Sequence, residues 1–226
     1  MKVVNFSVFT TVLESMRRTS VEDYLSTIYR LEEVFGVART NDISRELGVR
    51  PATVSKVLRK LADEGYVVWV KFRGFKLSEK GVEAVKTLVR KHRICEAFLN
   101  ELGFGPVEVH EYAHYMEHLP QQIVESIYRY IGSPKECPHG NPIPGEGSTS
   151  VGKPLSDFGI GETVRVVGYR GELVTYMKKA LALGLTLGAE VLIVNKARKS
   201  IDLKIGNRLE RVDLKTAMTV LAEHRH

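Results

Sequence analysis

Apolar side chains recur every three or four positions in residues 20–35, which predicts an amphipathic helix. Ser20 stands just before this pattern, where its hydroxyl can cap the helix. Glu22 and Asp23 fall in the first turn, where negative charge is favourable. Gly36 follows the last apolar position and suits a helix end. The pattern thus predicts both ends of this helix.

The next apolar pattern predicts two short helices around a tight turn. The first begins at Thr40 or Asn41, either of which can cap it, and runs through Leu47. Gly48 ends it, and Pro51 suits the first position of the next helix, where its missing N–H costs nothing. The second helix has an apolar stripe and a closing glycine: Ala52, Val54, Val57, Leu58, Leu61 and Gly65. This order is the signature of a helix-turn-helix motif.

Two strand-like runs, VVWV and FKL, follow on either side of KFRG, which suits a turn, and they predict a hairpin wing. The residues predicted to contact DNA lie off the apolar stripe or at the wing tip: Arg50, Pro51, Thr53, Ser55, Lys56, Arg59, Lys71 and Arg73. A helix of this kind can enter the major groove with its N-terminus first. Arg50, Thr53 and Lys56 are the predicted base readers. Arg59 and Arg73 are predicted on phosphate, and the alternative is a motif used only for packing.

Further helices are predicted from Glu79 to about Leu102, from Pro106 to His118 and from Pro120 to Ile131. Residues 132–154 are rich in Gly, Pro and Ser, which predicts a linker without helix or sheet. From Pro154 onward, short strands interrupted by one short helix suggest a small barrel.

The predicted fold is mainly α with a small β part: an N-terminal winged helix-turn-helix, a helical middle domain and a C-terminal small β-barrel. The predicted segments are a DNA-binding domain with an N-terminal extension, a helical domain, a Pro/Gly linker and a C-terminal domain, at residues 1–91, 92–136, 137–153 and 154–226.

Charge divides the chain into three blocks. Residues 1–93 hold 18 basic against 11 acidic side chains, residues 94–150 hold 2 against 8, and residues 151–226 hold 13 against 8. A basic block attracts phosphate backbones, although solubilising charge is an equal explanation. No apolar run is long enough for a membrane span and the N-terminus makes a poor signal peptide, so a cytoplasmic protein is expected. The two cysteines, a buried Cys95 and a loop Cys137, form no disulfide framework.

The stretch HEYAHYMEHL carries the candidate metal chemistry. On one helix, His110, His114, Glu117 and His118 would share a stripe, and His92 and Glu96 repeat the i, i+4 spacing on the preceding helix. Nitrogen and oxygen ligands without thiolate suit Mn, Fe(II), Co or Zn. The alternative is a solvated polar face. No H-E-x-x-H or G-x-S-x-G motif occurs, so neither an enzyme nor a small-molecule substrate is predicted.

Several motifs together resemble one family: SVEDYLSTIYRLEE, GVRPATVSKVLRKLADEGYV, GFKLSEKG, VRKHRICEAFL, VHEYAHYMEHL and PHGNPIP. This is the family of iron- and manganese-dependent transcriptional repressors, of the diphtheria toxin repressor and manganese transport regulator type. ALGLTLGAEVLIV resembles the SH3-like ferrous-transport-type domain that many members carry.

The resemblance implies two metal sites. The implied primary ligands are Asp23, His114, Glu117 and His118, and the implied ancillary ligands are His92, Glu96 and His110. His114 stands where iron-type members have Cys and manganese-type members have Glu. Ser26 replaces a further carboxylate of the manganese type. The ligands that some iron-type C-terminal domains supply fall on Leu173 and Tyr176, with Glu172 a near miss.

The resemblance also implies a repressor of metal-ion homeostasis that binds a palindromic operator as a homodimer when Fe(II) or Mn(II) is bound, with Zn(II) or Co(II) effective in vitro. The resemblance also makes residues 92–136 a helical metal-binding and dimerisation domain. The implied dimer surface is an apolar set in the acidic block: Ile94, Phe98, Leu99, Ile123 and Ile127. The alternatives are a constitutive winged-helix protein with a structural zinc, a small-molecule sensor, which the polar stripe disfavours, and a metallohydrolase.

Overall fold

The computed structural model describes residues 20–147 and 152–224. The predicted N-terminal extension falls on residues 1–19, outside the described residues. The first helix, α1, spans Val21–Phe35. Ser20 and Asp23 form a capping box at its start, and Gly36 ends it in a left-handed conformation, as its sequence predicts.

The helix-turn-helix consists of α2 (Thr40–Leu47) and α3 (Pro51–Asp63). Thr40 is the first helical residue, and the cap position is taken by Arg39, whose side chain makes no capping hydrogen bond. The predicted cap at Thr40 or Asn41 is therefore wrong. Apolar residues of α1, α2 and α3 share one core that also takes in the base of the wing.

The wing consists of β1 (Val67–Val70) and β2 (Gly74–Leu77), an antiparallel pair. Phe75 exchanges two backbone hydrogen bonds with Ala38, which lies between α1 and α2. Gly74 has a φ of 140°, and a Cβ placed on it would lie 2.3 Å from the Ala38 carbonyl oxygen. Only glycine therefore lets the wing join the α1–α2 connection this closely.

The middle of the chain is helical: α4 (Glu79–Glu101), α5 (Pro106–Met116) and α6 (Gln121–Tyr130). The predicted domain boundary at residues 91/92 lies inside the continuous α4. α5 ends at Met116, so its predicted extension to His118 is wrong. Among the described residues, no helix combines the length and apolar content that a membrane crossing requires.

The apolar set expected at a dimer surface is divided between the inside and the outside of the chain. Ile94 and Leu99 lie in the chain's own core, which they share with residues of α5 and α6. Ile123 is exposed, and Phe98 and Ile127 are half-buried. Ile94 and Leu99 therefore stabilise the helical unit itself and are not free to pack against a second subunit.

Residues 132–147 have no helix or named strand, but they are packed and do not form the free linker that their composition suggests. Cys137, His139, Asn141 and Ile143 are buried. Asn141 donates a hydrogen bond to the Tyr169 carbonyl (2.8 Å) and accepts one from the Gly171 N–H (2.9 Å). The Asn141 side chain thus satisfies backbone groups of residues 169–171, a contact that composition alone does not reveal.

The C-terminal part is a six-stranded antiparallel sheet with strand order β3-β8-β4-β5-β6-β7 and two short helices. Its elements are β3 (Lys153–Pro154), β4 (Thr163–Tyr169), α7 (Val174–Ala182), β5 (Glu190–Lys196), β6 (Ser200–Ile205), β7 (Arg208–Asp213), α8 (Leu214–Thr219) and β8 (Val220–His224). One apolar core fills this unit.

The C-terminal unit docks on the helix-turn-helix. The buried Asp42 carboxylate on α2 accepts hydrogen bonds from Lys215 Nζ (2.7 and 2.8 Å) and Tyr176 Oη (3.2 Å). Leu173 and Tyr176 join the apolar core of the DNA-binding unit. Neither residue lies among the groups that could bind a metal.

Candidate metal centre

Helices α4 and α5 pack together and bring four polar side chains into one buried cluster. His92 Nε2 lies 2.9 Å from Glu96 Oε1 and 3.0 Å from His110 Nδ1. His110 Nδ1 is 2.8 Å from the same Glu96 oxygen, and His110 Nε2 is 3.1 Å from His114 Nε2. The structure thus brings together the three residues predicted for the ancillary site and joins them to His114.

Glu117 connects this cluster to helix α1. As the C-cap of α5, it places one carboxylate oxygen 2.6 Å from His92 Nδ1 and the other 3.2 Å from His114 Nδ1. Ligand atoms of Asp23, His114 and Glu117 lie within 4.8 Å of one another. Asp23 is held by its own capping box, in which one oxygen accepts the Ser20 N–H (2.7 Å). Three of the four predicted primary ligands therefore meet at the α1–α5 contact.

His118 lies at the rim of the cluster. Its side chain is 46% exposed, with Nε2 3.7 Å from Glu117 Oε1 and Nδ1 3.6 Å from Glu22 Oε2. The predicted stripe assumed that α5 continues through this position, whereas the helix ends at Met116 and His118 stands in a turn. Because the helical geometry is lost here, the His118 ring lies at the edge of the cluster, between Glu117 and Glu22.

Two candidate ligands come from the segment predicted to be a linker. Glu96, Cys137 and His139 offer ligand atoms within 4.8 Å of one another. His139 Nδ1 is 3.2 Å from Glu96 Oε2, and its Nε2 faces the Pro106 carbonyl at 2.8 Å. The available signal was the Cys-Pro-His run that leads into the PHGNPIP motif, but the Gly- and Pro-rich composition of the segment obscured it.

Glu172, which stands next to the position of a ligand in some iron-type members, borders the group of Glu96, Cys137 and His139. Cys137 Sγ donates to its Oε1 at 3.4 Å. The same carboxylate pairs with Arg93 Nε (2.8 Å) and Arg30 Nε (3.3 Å), so it is already neutralised by two buried guanidinium groups. Glu172 has a φ of 46°, a left-handed conformation that a non-glycine residue adopts only at a cost.

The buried charges hold the imidazoles in different protonation states. Burial lowers the pKa of His110, and it lowers the pKa of His114 to about 4, so both rings are neutral near pH 7. Burial and Arg30 also oppose charge on His92, but the Glu96 and Glu117 carboxylates outweigh them and raise its pKa.

The two carboxylates respond in the opposite way. Burial raises the pKa of Glu117, but His92 and His114 outweigh it, and the result is a pKa well below the usual range. Burial also opposes ionisation of Glu96, while His139 and His92 lower its pKa. The cluster therefore contains ionised carboxylates and two neutral imidazoles, His110 and His114, which are the protonation states that metal ligation requires, whereas His92 must lose a proton before it can bind an ion.

The donor set fits a divalent transition metal. Three overlapping groups each offer three donors: His92, His110 and His114; Glu96, Cys137 and His139; and Asp23, His114 and Glu117. Ring nitrogens of His110 and His114 face each other at 3.1 Å, which requires a proton or a cation between them. Imidazole and carboxylate suit Mn, Fe(II), Co and Zn, and the thiol of Cys137 adds a softer donor to one group only. A cavity of about 750 Å³ beside His110 and His114 opens toward α1, α2 and α7 and offers an entry path.

The predicted DNA-contacting residues lie on one domain. All are exposed except Ser55, which is half-buried and donates its hydroxyl to the Pro51 carbonyl (3.0 Å). Arg59 Nε donates to the Ser55 carbonyl (3.3 Å). Lys71 and Arg73 lie at the turn between β1 and β2.

Comparison with known proteins assigns the chain. Its residues 16–75 match the family model described as iron dependent repressor, N-terminal DNA binding domain. Residues 78–145 match iron dependent repressor, metal binding and dimerisation domain. The chain belongs to the iron-dependent repressor family. Residues 153–224 match the FeoA domain, in agreement with the predicted ferrous-transport-type domain.

Two curated relatives are the HTH-type transcriptional regulators MntR of Listeria monocytogenes serotype 4a (strain HCC23) and of Bacillus subtilis (strain 168). They are 38% and 37% identical over 103 residues, which make up 46% of this chain and 72% of each relative. The chain is thus a member of a family of metal-dependent transcriptional regulators. These are repressors and not enzymes, which agrees with the sequence-based prediction.

Solved structures extend the similarity to nearly the whole chain. The IdeR of T. acidophilum is 25% identical with a TM-score of 0.75, over 93% of this chain and all of that one. The manganese regulator SloR is 26% identical with a TM-score of 0.76, over 92% of this chain and all of that one. The predicted fold class, with a helical DNA-binding and dimerisation region and a C-terminal antiparallel sheet, is confirmed.

Proposed function

We propose that this regulator is a homodimeric repressor that binds a palindromic operator when Mn(II) or Fe(II) is bound, and that it acts in the cytoplasm to control metal-ion homeostasis. The main support for the proposal is one observation on the described residues. Ligand atoms of Asp23, on α1, lie close to those of His114 and Glu117, on α5. One contact joins the DNA-binding domain to the helical unit.

The mechanism follows from the positions of these side chains. Asp23 would hold an ion jointly with His114 and Glu117, and His118 would complete the set after a change of rotamer. A bound divalent ion supplies positive charge that both carboxylates neutralise. Asp23 and its capping box then fix α1 against α5, and α3 is fixed with them through the shared core. DNA affinity rises if the arrangement that binds metal is also the one that matches two half-sites.

The remaining candidate ligands support a second ion. His92, Glu96 and His110 form the proposed ancillary site, and we add Cys137 and His139 to the residues that would hold a metal there. SloR is named a manganese regulator, and another neighbour is a manganese-dependent repressor in complex with manganese. A neighbouring repressor, ScaR, was solved with bound Zn²⁺, which supports an effect of Zn(II) in vitro.

The test is DNA binding as a function of metal, with a duplex selected from a random-sequence library in the presence of Mn(II). We expect Mn(II), or anaerobic Fe(II), to tighten binding by about 5- to 150-fold, the usual range of coupling between two sites. Glu117→Gln should remove the stimulation, and His118→Ala should reduce it. Glu111→Gln, on the same helix but paired with Lys178, is the matched control and should respond like the native protein.

The alternative is a constitutive winged-helix protein with a structural zinc. The buried Glu96, Cys137 and His139 group favours it, because a thiolate donor suits zinc. In that case a chelator would leave DNA affinity unchanged, or would unfold the protein outright. Circular dichroism on the chelated sample separates these two results from metal-dependent binding by a folded protein.

A further inference from the structure

The wing tip carries an apolar side chain with almost no cover. Phe72 lies in the turn between β1 and β2 and is 89% exposed, the largest fraction among the exposed apolar residues of the described chain. Trp69, on β1 of the same hairpin, is 63% exposed. Two strongly exposed aromatic side chains on one hairpin make the wing a candidate surface for contact with a partner.

The backbone holds Phe72 in this exposed position. Its φ is 60°, a left-handed conformation that a non-glycine residue adopts at a cost in free energy. The turn is closed by the Arg73 N–H, which donates to the Val70 carbonyl at 2.9 Å. At the base of the wing, Gly74 packs directly on Ala38. The wing is therefore fixed to the domain core, and its tip projects from a rigid base.

Charge identifies the partner. Phe72 lies between the exposed Lys71 and Arg73, and Lys71 Nζ stands 5.2 Å from the centre of the phenyl ring. Among the exposed residues of the domain, Lys56 and Arg59 add positive charge on the recognition helix α3. A ring between two cations complements a groove whose walls are phosphates and whose floor is the edges of stacked bases.

We propose that Phe72 enters the minor groove of bound duplex DNA and packs as an apolar wedge against a base step, with Lys71 and Arg73 on the flanking phosphates. The inference rests on the proposed DNA-binding function and deepens it, since it names a side chain that reads groove shape and base-step flexibility beside the major-groove contacts of α3.

The chain contains its own probe for this contact. Trp69 is the single tryptophan of the sequence and lies three residues before Phe72. Saturation with the library-selected duplex and Mn(II) should lower acrylamide quenching of Trp69 fluorescence. Anisotropy of the labelled duplex measures total binding in the same samples. If the duplex binds and the quenching is unchanged, the wing does not meet DNA and the inference is overturned, while DNA binding stands.

Variants then test the ring itself. Phe72→Gly accepts a φ of 60° without strain, so the wing should fold, and we expect about tenfold weaker DNA binding, the effect of losing one aromatic contact with a base. Phe72→Tyr keeps a ring and should bind like the native chain. Leu209→Ala, which removes another strongly exposed apolar side chain, on β7, is the control and should have no effect.

Base analogues place the contact in the groove. Replacing adenine by 2,6-diaminopurine adds an amino group to the minor groove alone. When 2,6-diaminopurine replaces adenine across the flanks of the selected site, the DNA affinity of the native chain should fall. The DNA affinity of Phe72→Gly should not change. Equal affinity of Phe72→Gly and the native chain overturns the inference, as does a change in subunit association without a change in DNA affinity. Failure of the native chain to bind any duplex overturns the proposed function as well.

Discussion

His139 illustrates at the scale of one residue how a ring is prepared for ligation. Its Nε2 faces the Pro106 carbonyl at 2.8 Å, and its Nδ1 faces Glu96 at 3.2 Å. A carbonyl only accepts hydrogen bonds, so Nε2 carries a proton and Nδ1 is the atom directed toward the other ligands. A partner of this kind fixes the tautomer and orientation of a metal-binding histidine.

Cys137 allows a direct spectroscopic test of the group that it forms with Glu96 and His139. We expect cobalt(II) titration to produce a thiolate-to-metal charge-transfer band in the near ultraviolet. Cys137→Ser should lose this band, and His139→Ala should weaken cobalt binding by about 10- to 100-fold, the usual effect of disturbing a metal site. Cys95→Ser is the control, because Cys95 lies in the apolar core of α4, α5 and α6. A band that survives Cys137→Ser excludes this thiol as a ligand.

Protonation of His92 predicts the pH dependence of metal binding. Its pKa is raised, so in the metal-free chain the protonated form, paired with Glu96 and Glu117, contributes stability that is fully present below pH 6.5 and is lost as pH rises through the raised value. An incoming ion must displace that proton. Apparent Mn(II) affinity should therefore still rise as the pH increases above 6.5. His110 and His114 are already neutral there and add nothing to this slope.

Isothermal titration at several pH values, in buffers of different ionisation enthalpy, measures both affinity and proton release. Release of protons near pH 7 is the expected result. An affinity that levels off at pH 6.5 would show that His92 is neutral before the ion binds, contrary to this reasoning.

At the scale of elements, the helices and the wing were predictable because each has a local signal. Periodicity, a capping serine and Pro51 at a helix start are all properties of neighbouring residues. The end of α5 at Met116 had no comparable signal, since the apolar and polar pattern runs on past it. The prediction that His118 lies on this helix is therefore wrong, while its role as a metal ligand stays a prediction.

The segment at residues 132–147 shows a different limit of sequence reasoning. Its Gly and Pro content correctly predicts the absence of helix and named strand in its described residues, but composition does not reveal burial. Asn141 and His139 form their hydrogen bonds with residues about 30 positions away in the chain. Contacts of this kind appear only when the sheet and α5 are already in place, which is why Cys137 and His139 were not predicted as ligands.

Gly74 supports a prediction about the wing. Gly74→Ala would put a Cβ 2.3 Å from the Ala38 carbonyl oxygen at a φ of 140°. We expect it to lower the free energy of unfolding by about 1–3 kcal/mol and to weaken DNA binding. Gly65→Ala is the matched control, since Gly65 also has a positive φ but meets no atom within 4 Å. Urea unfolding should show the smaller loss for Gly65→Ala, and equal losses would mean that the contact with Ala38 is unimportant.

At the scale of the whole molecule, the C-terminal sheet is joined to the DNA-binding unit through Asp42. Asp42→Asn removes the charge that Lys215 and Tyr176 contact, and we expect a loss of about 1–3 kcal/mol in unfolding free energy because the buried Tyr176 hydroxyl and the half-buried Lys215 ammonium lose an ionised acceptor. Amide hydrogen exchange in α2 should rise. Asp202→Asn, which breaks a pairing with Arg211 inside the sheet, is the control and should leave exchange in α2 unchanged. Unchanged exchange in Asp42→Asn would show that this contact does not hold the two units together.

The buried segment that bears Cys137 and His139 is attached to strand β4: the Tyr169 N–H donates to the His139 carbonyl at 2.8 Å, and a Cβ on Gly168 would lie 2.3 Å from that carbonyl oxygen. Two candidate ligands that belong to the helical half by chain position are thus held in place by the sheet half. A chain that ends before β3 would keep every histidine of α4 and α5, but it would lose the strand that supports Cys137 and His139. The C-terminal sheet therefore shapes one wall of the candidate metal centre.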